Sequence, residues 1–515
     1  MKWGQSSWGR ALGSGLPFLN HPPRWFELAV WFLVCLAIAW PRILLWNLLP
    51  AYLWSGDSEG YALPAICLVD RGEWLPSDKR GAVYPLFLAA TLAAGDLNLS
   101  VIIQHIVGGA TVLGCGIALR LVLGPASLLP VAWATGSFGR YNLLIYLEHL
   151  IRNETVLFLL SSACLAMLLL AHHKQSRGWF TASGILAGLQ HLTKPIMPLF
   201  LPAAIVSILL RRDWPRTWRL RSSLWLAGGF ALHALVGFLS ARLAARPVTP
   251  DPQSGKLLYA RVAQWTVLDE GPHREIKDAI RTDIESYRQL GRRETNLILN
   301  RTAVPKIEAI VRSLGGDKRE IHRVCQALAF EAIARNRAAF VQQIGSDLVS
   351  WHTEQGFKTK VPKASYLIEQ AKELRDDAGQ LPARAKALET VKLYTERASR
   401  NHFDPFHNLC LKSTFFEHPI FGRRGSPVLA CSVALPIVLL IIGRQLRPAF
   451  AVFFVLWWSG LLILSTVGRP MDRYLLPLCP IIFFTLASLI AVAWMKLLAA
   501  LEGRVSKNPT PIAAP

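Results

Sequence analysis

The stretch WFELAVWFLVCLAIAWPRILLW, residues 25–46, decides the fold class of this chain. It holds one acid and one arginine, and an apolar run of about 20 residues matches the roughly 30 Å hydrocarbon core of a bilayer. Similar runs recur near the end of the chain, at Val428–Ile442 and Tyr474–Met495. No small-residue cleavage site follows the first run, so we interpret it as a retained membrane span.

Composition points to the same class. Hydrophobic residues make up 52% of the 515 residues and charged residues only 17%, against about 25% in soluble domains. The net charge of +22 alone would favour a nucleic-acid partner. However, the predicted cytoplasmic pieces hold 16 Lys and Arg and only two acids, Asp213 and Glu502. These pieces are Met1–Arg24, the turn at Arg120, His172–Gly178, Arg211–Arg221, Gly443–Arg447 and the tail from Lys496. This one-sided bias is the positive-inside pattern, so we expect a bilayer and no nucleic acid as partner.

The apolar runs predict an all-α polytopic membrane protein with about ten transmembrane helices and both termini in the cytoplasm. The opposite orientation would place every basic piece outside. The predicted spans are 25–46, 99–121, 124–139, 154–171, 179–193, 195–210, 223–244, 426–442, 449–467 and 474–496.

The first outer loop, 47–98, contains two apolar segments that are too short to cross. Ser58–Asp70 and Tyr84–Ala94 are predicted to lie on the outer surface as interfacial helices. The alternative, that Tyr84–Ala94 is a short span, would invert everything after it and spoil the charge bias.

Residues 245–425 differ in kind, because they hold 22 of the 34 acids and 30 of the 56 basic residues. We predict a mainly helical extracytoplasmic domain there, between a transmembrane module at 1–244 and the C-terminal helices and tail at 426–515. Apolar positions at helical spacing predict its helices at Glu275–Leu290, Lys318–Ile344, Ala364–Arg375 and Ala383–Arg400.

The eight cysteines follow no metal-ligand spacing, and we predict neither a metal site nor a cofactor. Cys325 and Cys410 share the large polar segment. If it is extracytoplasmic they form a disulfide or remain two free thiols, and both readings stay open.

Two carboxylates follow the first span. Asp57 is a general base if partial desolvation at the membrane boundary raises its pKa, or else the N-cap of a helix with Glu59 in its first turn. Further along the loop, Arg80 either binds a phosphate or belongs to a solvated basic turn.

The later outer loops add further charges. Glu154 starts an apolar run, and ionisable groups at that depth are usually functional. Lys194 lies in an apolar hairpin and needs an anionic partner, either a carboxylate such as Glu154 or a ligand phosphate. Arg473 opens the last span and either snorkels or joins an anion site. His191 alone is a packed polar side chain more often than a ligand.

The second outer loop also contains Arg140 and the pair Glu148 and Arg152. The i, i+4 spacing of that pair is typical of a surface ion pair. Charges from four distant loops thus converge on the outer side. We therefore predict an outer-face site for a phosphate-bearing ligand, with one or two carboxylates.

The motifs resemble those of the GT-C membrane glycosyltransferases, particularly the dolichyl-phosphate-mannose-protein mannosyltransferases (glycosyltransferase family 39) and the bacterial aminoarabinose transferases. The pieces that carry the resemblance are GDSEGY at 56–61, Arg80 followed by YPLFLA at 84–89, NE at 153–154, GILAGL at 184–189 with LTKP at 192–195, and DRYLLP at 472–477.

The resemblance implies a GT-C-like bundle in a bacterial inner membrane and inverting sugar transfer, on the outer face, from a polyprenyl-phosphate donor to a glycan, lipid or protein hydroxyl. It implies Asp57 as the base, although the motif here is Asp57-Ser58-Glu59 rather than an adjacent Asp-Glu pair, so Glu59 is a second candidate. The donor phosphate would be held by Lys194, Arg473 and Arg80. The implied substrate contacts are Glu154, Tyr61, Tyr84, Arg140 and His191.

Two rival functions remain. One is an O-antigen ligase or polymerase that uses a diphosphate-linked glycan at the outer face. The other is a lipid or glycan transporter, which should carry its ionisable groups near mid-membrane on broken helices. Because the charged groups named above sit at the predicted outer ends, the sequence favours the glycosyltransferase.

Overall fold

The computed structural model describes residues 18–48, 58–74, 81–140, 142–194, 199–244, 254–290, 298, 301–353, 427–467 and 476–507. Helices dominate these residues, and no β-strand occurs among them. The α-helices are α1 (Arg24–Leu48), α2 (Glu59–Arg71), α3 (Val83–Ala94), α4 (Leu97–Leu123), α5 (Leu128–Gly139), α6 (Asn142–Glu148), α7 (Glu154–Lys174), α8 (Arg177–Thr193), α9 (Phe200–Leu209), α10 (Arg216–Arg242), α11 (Ser254–Val262), α12 (Arg274–Leu290), α13 (Ala303–Ser313), α14 (Lys318–Arg335), α15 (Arg337–Thr353), α16 (Pro427–Ile441), α17 (Arg447–Val467) and α18 (Cys479–Lys507).

Six helices are long and apolar enough to cross a bilayer, namely α1, α4, α7, α10, α17 and α18. Each coincides with a predicted span. The other four predicted spans contain the shorter helices α5, α8, α9 and α16, which have 12, 17, 10 and 15 residues. The all-α, multi-pass fold is therefore confirmed over the described residues, while the number of crossings stays a prediction.

Small residues bring α8 and α10 into close contact. A Cβ atom on Gly184 would lie 2.2 Å from the backbone oxygen of Leu226, and one on Gly229 would lie 2.4 Å from that of Thr181. Glycine at such positions lets the backbones of membrane helices approach each other, which favours packing where no hydrophobic effect drives association. These two glycines thus allow α8 to pack closely against α10.

Pieces that were predicted to be cytoplasmic meet at one end of the bundle. A single cavity there is lined by residues from four of them, including Leu123, His173, Gln445 and Lys496. Arg211 joins the same end, because its Nη1 donates to the backbone oxygen of Gln445 at 2.8 Å. These five pieces therefore lie at one end of the bundle, while the side of the membrane that this end faces stays a prediction.

The polar segment folds into a helical unit with its own core. One face of α12, formed by Ile276, Ile280, Ile284 and Tyr287, is buried in it. Cys325 is also buried there, and its possible partner Cys410 lies outside the described residues, as do the predicted helices at 364–375 and 383–400.

The prediction of one helix at Lys318–Ile344 is wrong in one respect, because the structure divides it into α14 and α15 at Asn336. Asn336 leaves the helical conformation at φ −128° and ψ 41°. Its side-chain Nδ2 donates to the backbone oxygen of Ala332 at 3.0 Å. Asparagine competes in this way with helical hydrogen bonding, so the chain turns there.

Helix α15 fastens the helical unit to α16 and α17. Trp351 is fully buried, and its Nε1 donates to Oγ of Ser465 in α17 at 3.2 Å. The ring Nε2 of His352 lies 3.0 Å from Oγ of Ser432 in α16. The polar segment is thus packed onto the C-terminal helices, while its outer limits, 245 and 425, lie outside the described residues and stay a prediction.

Candidate functional site

Several predicted site residues fall where the structure gives no description. Asp57, Arg80 and Arg473 lie outside the described residues, and so does the side chain of Glu59, the first residue of α2. Their roles therefore stay predictions.

The two short helices of the first outer loop pack against the loop between α6 and α7. The rings of Tyr61 in α2 and Tyr84 in α3 meet edge to face, with centroids 5.2 Å apart. Both belong to a buried cluster that includes Ile151 of the loop and Val156 of α7. The structure therefore brings together two loops, both predicted to be outer, that are about 60 to 90 residues apart in sequence.

The end of α8 joins the same group of elements. A Cβ atom on Gly81, just before α3, would lie 1.8 Å from the backbone oxygen of Leu192. Only glycine allows this approach without displacing the backbone of α8. Lys194 follows two residues later as the C-cap of α8, and its backbone N donates to the backbone oxygen of Gln190 at 2.8 Å. The chain beside Lys194 thus contacts the loop that leads into α3.

Glu154 is buried at the start of α7, with 6% of its surface exposed. Its Oε2 has no hydrogen-bond partner among the described residues. The carboxylate acts electrostatically on the Tyr84 hydroxyl, as does the guanidinium of Arg152. A helix N-terminus favours negative charge, which offsets part of the cost of burying this acid. The unpaired oxygen is therefore an acceptor that a ligand hydroxyl can use.

The structure also describes the surroundings of the other predicted contacts. Lys194 is half-buried. The ring of His191 packs against Phe230 and His233 of α10, with centroids 5.9 and 5.3 Å away. Arg140 ends α5, where its backbone N donates to Ser137 at 3.3 Å. Tyr84 is fully buried and its hydroxyl donates to Gln104 at 2.8 Å.

The prediction that Glu148 and Arg152 form a surface pair is wrong. Glu148 is fully buried, and its carboxylate accepts from Nε and Nη2 of Arg42 at 2.8 and 2.7 Å. It also accepts from Nδ1 of His105 at 2.9 Å, and the other ring nitrogen of His105 lies 2.9 Å from Nδ1 of His149. We call these four residues, Arg42, His105, Glu148 and His149, the Arg42 network.

Sequence reasoning missed this network, although a signal for it exists. Arg42 is the single basic residue in residues 25–46, and unpaired charge is costly in a membrane span. A lone arginine there predicts a buried acid on another helix. The sequence does not indicate which acid it is, because Glu148 lies 106 residues after Arg42.

An apolar groove runs beside the network, between α1 and α4. Its volume is about 430 Å³, and Arg42 and His105 contribute to its lining. Ile43 and Ile106 line it as well and are more than half exposed, so the groove opens at the surface of the bundle. A groove open toward lipid is accessible to a hydrocarbon chain.

The described residues contain no group of three or more His, Cys, Asp or Glu side chains arranged to hold a metal ion. The described residues of the predicted site include two aromatic rings, a buried carboxylate and a half-buried lysine. Such groups bind hydroxyls and anions.

Comparisons with known proteins bear on the same region. Residues 86–240 match the model of the family described as dolichyl-phosphate-mannose-protein mannosyltransferase. No curated protein sequence matches the chain. Among solved structures, the crystal structure of ArnT from Cupriavidus metallidurans bound to undecaprenyl phosphate is similar at 17% identity and a TM-score of 0.30, covering 86% of this chain and 77% of that one. That TM-score is too low to carry a conclusion about this chain.

The family match covers less than a third of the chain, but this third contains Glu154, His191 and Lys194. The chain is therefore a multi-pass membrane protein, helical in its described part, that is similar to the dolichyl-phosphate-mannose-protein mannosyltransferase family over residues 86–240, as its motifs predict.

Proposed function

We propose that the chain is a membrane glycosyltransferase that takes a sugar from a polyprenyl-phosphate donor and transfers it to an acceptor hydroxyl. The family match over residues 86–240 carries this proposal, because it includes Glu154 and Lys194. The bound lipid named for the ArnT structure, undecaprenyl phosphate, is the donor carrier that we propose for this chain.

The proposed reaction inverts the anomeric centre. The acceptor oxygen attacks the anomeric carbon while the bond to the donor phosphate breaks on the opposite face. A carboxylate, Asp57 or Glu59, takes the acceptor proton, and the polyprenyl phosphate leaves as an anion. Preorganised cations stabilise such charge most where it develops, which is the role we propose for Lys194, Arg80 and Arg473.

Glu154 is proposed to bind substrate through its unpaired oxygen. A buried carboxylate that lacks a partner gains a strong hydrogen bond when a sugar or acceptor hydroxyl reaches it. Tyr61, Tyr84, Arg140 and His191 remain predicted contacts of the donor or acceptor. The groove between α1 and α4 suits the hydrocarbon chain of the donor.

We further propose that transfer takes place on the outer face of a bacterial inner membrane, with both termini in the cytoplasm. The cavity that joins Leu123, His173, Gln445 and Lys496 supports this topology, because it gathers the basic pieces at the end away from Glu154 and Lys194. A positive end of this kind faces the cytoplasm.

Binding of undecaprenyl phosphate tests the donor assignment. We expect Lys194→Ala in lipid nanodiscs to weaken binding by about tenfold or more, since a charge-assisted contact to phosphate is lost. Lys174→Ala is the matched control, because Lys174 is exposed at the opposite end of α7. Equal affinities for wild type and Lys194→Ala would contradict the proposed phosphate contact.

A further inference from the structure

We infer that Gln104 is a positioning residue. It holds the loop that leads to Glu154 against α3 and α4. The inference rests on the proposed function, in which Glu154 binds substrate. Gln104 lies in α4 with 1% of its surface exposed. Its hydrogen-bond partners among the described residues are Tyr84, Glu148 and Leu150, so it acts on Glu154 only indirectly.

The loop between α6 and α7 is buried along its whole length. His149, Leu150, Ile151, Arg152 and Asn153 are each at most 9% exposed. Most buried backbone carbonyls in proteins are hydrogen-bonded, and a loop lacks the regular partners that a helix provides. Within the loop, the backbone N of Arg152 donates to the backbone oxygen of Leu150 at 2.9 Å, and side chains of neighbouring elements provide further partners.

Gln104 supplies those partners. Its Nε2 donates to the backbone oxygens of Glu148 at 2.7 Å and Leu150 at 3.1 Å. Its Oε1 accepts from the hydroxyl of Tyr84 at 2.8 Å. Two carbonyl groups can only accept, so the amide has one satisfactory orientation. A single side chain thus joins α3, α4 and the loop.

The Arg42 network holds Glu148, the last residue of α6, directly before the same loop. Glu148 is held by its side chain through Arg42 and His105 and by its backbone through Gln104. Because a carboxylate only accepts, Nδ1 of His105 carries the proton in that contact. Because Glu148 is held in two ways, the position of Glu154, six residues later, is restricted.

Tyr84 completes the connection to the site. Its ring meets Tyr61, its hydroxyl binds Gln104, and the same hydroxyl interacts electrostatically with Glu154. Removing the amide of Gln104 takes away one hydrogen bond of the Tyr84 hydroxyl and the two that the backbone oxygens of Glu148 and Leu150 accept. The effect on turnover then arises through the position of Glu154.

The test compares Gln104→Leu with Ser100→Ala. Ser100 also joins α4 to α3, because its hydroxyl is hydrogen-bonded to that of Thr91. This hydrogen bond does not involve the loop between α6 and α7. The readouts are sugar transfer from a panel of undecaprenyl-phosphate hexoses and pentoses, in membranes that contain the chain and supply the acceptor, and affinity for undecaprenyl phosphate in nanodiscs. We expect Gln104→Leu to lower kcat about tenfold or more and to leave that affinity within about twofold. Ser100→Ala should leave both unchanged.

Dependence on Glu154 separates positioning from loss of stability. In a Glu154→Gln background, Gln104→Leu should change kcat by less than about twofold, because residues that act through one another are not additive. The same factor in both backgrounds, or an equal loss in Ser100→Ala, would overturn the inference.

Hydrogen–deuterium exchange of the peptide that covers 148–154 provides a readout that needs no substrate. Gln104→Leu should accelerate exchange there, and Ser100→Ala should not. If Gln104→Leu does not fold, Tyr84→Phe removes one of the three hydrogen bonds and should accelerate exchange in the same peptide. Unchanged exchange in Gln104→Leu, or in Tyr84→Phe where that variant replaces it, would contradict the inference. If wild type consumes no donor of the panel, the proposed function fails while this comparison still decides whether Gln104 holds the loop.

Discussion

The contact between Arg42 and Glu148 allows a sharp prediction of stability. In Arg42→Met, the carboxylate of Glu148 stays fully buried and keeps only His105 as a side-chain partner. Removing one partner of a buried ion pair costs about 3–5 kcal/mol, because the remaining charge is left uncompensated. We therefore expect the free energy of unfolding to fall by about that amount.

Removing both charges should restore most of the loss. Replacing a buried pair by apolar residues of similar volume is often neutral, so Arg42→Met with Glu148→Leu should cost less than the sum of the single changes by about 3 kcal/mol. SDS titration of the chain in mixed micelles, followed by intrinsic tryptophan fluorescence, measures each member of this cycle.

The control is the ion pair of Arg120 and Glu27. Its Nη2 to Oε2 distance of 2.8 Å resembles that of the Arg42 pair, but its side chains are 14% and 26% exposed against 6% and 0%. Arg120→Met should therefore cost only about 1 kcal/mol or less. The reasoning is refuted if Arg42→Met costs no more than Arg120→Met, or if the double variant shows the full sum of the single losses.

Further predictions concern single residues. Gly108→Ala should destabilise the chain by about 1–3 kcal/mol in the same titration, because its Cβ would lie 1.9 Å from an oxygen of the Arg42 network; Gly114→Ala, in open space, should not, and equal effects would contradict this. The guanidinium of Arg211 holds the pKa of Asp213 below its ordinary 3.8. Its stabilising effect is thus present above pH 3.8 and is lost as pH falls below it, so wild type and Asp213→Asn should converge in stability there and not diverge. Burial raises the pKa of Cys325 to about 12. Iodoacetamide at about pH 8 should therefore label it only after unfolding, and rapid labelling of the native chain would be inconsistent.

Much of the fold follows from local sequence. A membrane span is recognisable because a run of about 20 apolar residues matches the hydrocarbon core of a bilayer. Each of the six long helices overlaps such a run. The orientation stays a prediction from the basic pieces, four of which line one cavity. The break at Asn336 was not predictable from periodicity, since apolar spacing continues on both sides of it.

The site was predictable only in part. The depth of Glu154 followed from the apolar run behind it, and its burial agrees with that expectation. The partners of Glu148 did not follow, because the i, i+4 spacing to Arg152 favours a local pair over one with Arg42. The role of Gln104 could not be predicted from the sequence. The partners of a glutamine in an apolar helix are known only once the loop after α6 has been placed.

The central claim is tested most directly by transfer of labelled sugar from undecaprenyl-phosphate hexoses and pentoses in membranes that contain the chain, which also supply the acceptor. We predict transfer by wild type, and a loss of about a hundredfold or more in Asp57→Asn, the usual contribution of a general base. Glu154→Gln should also reduce it. Full transfer by Asp57→Asn would contradict the assignment of the base, and no transfer of any donor by wild type would contradict the proposed function.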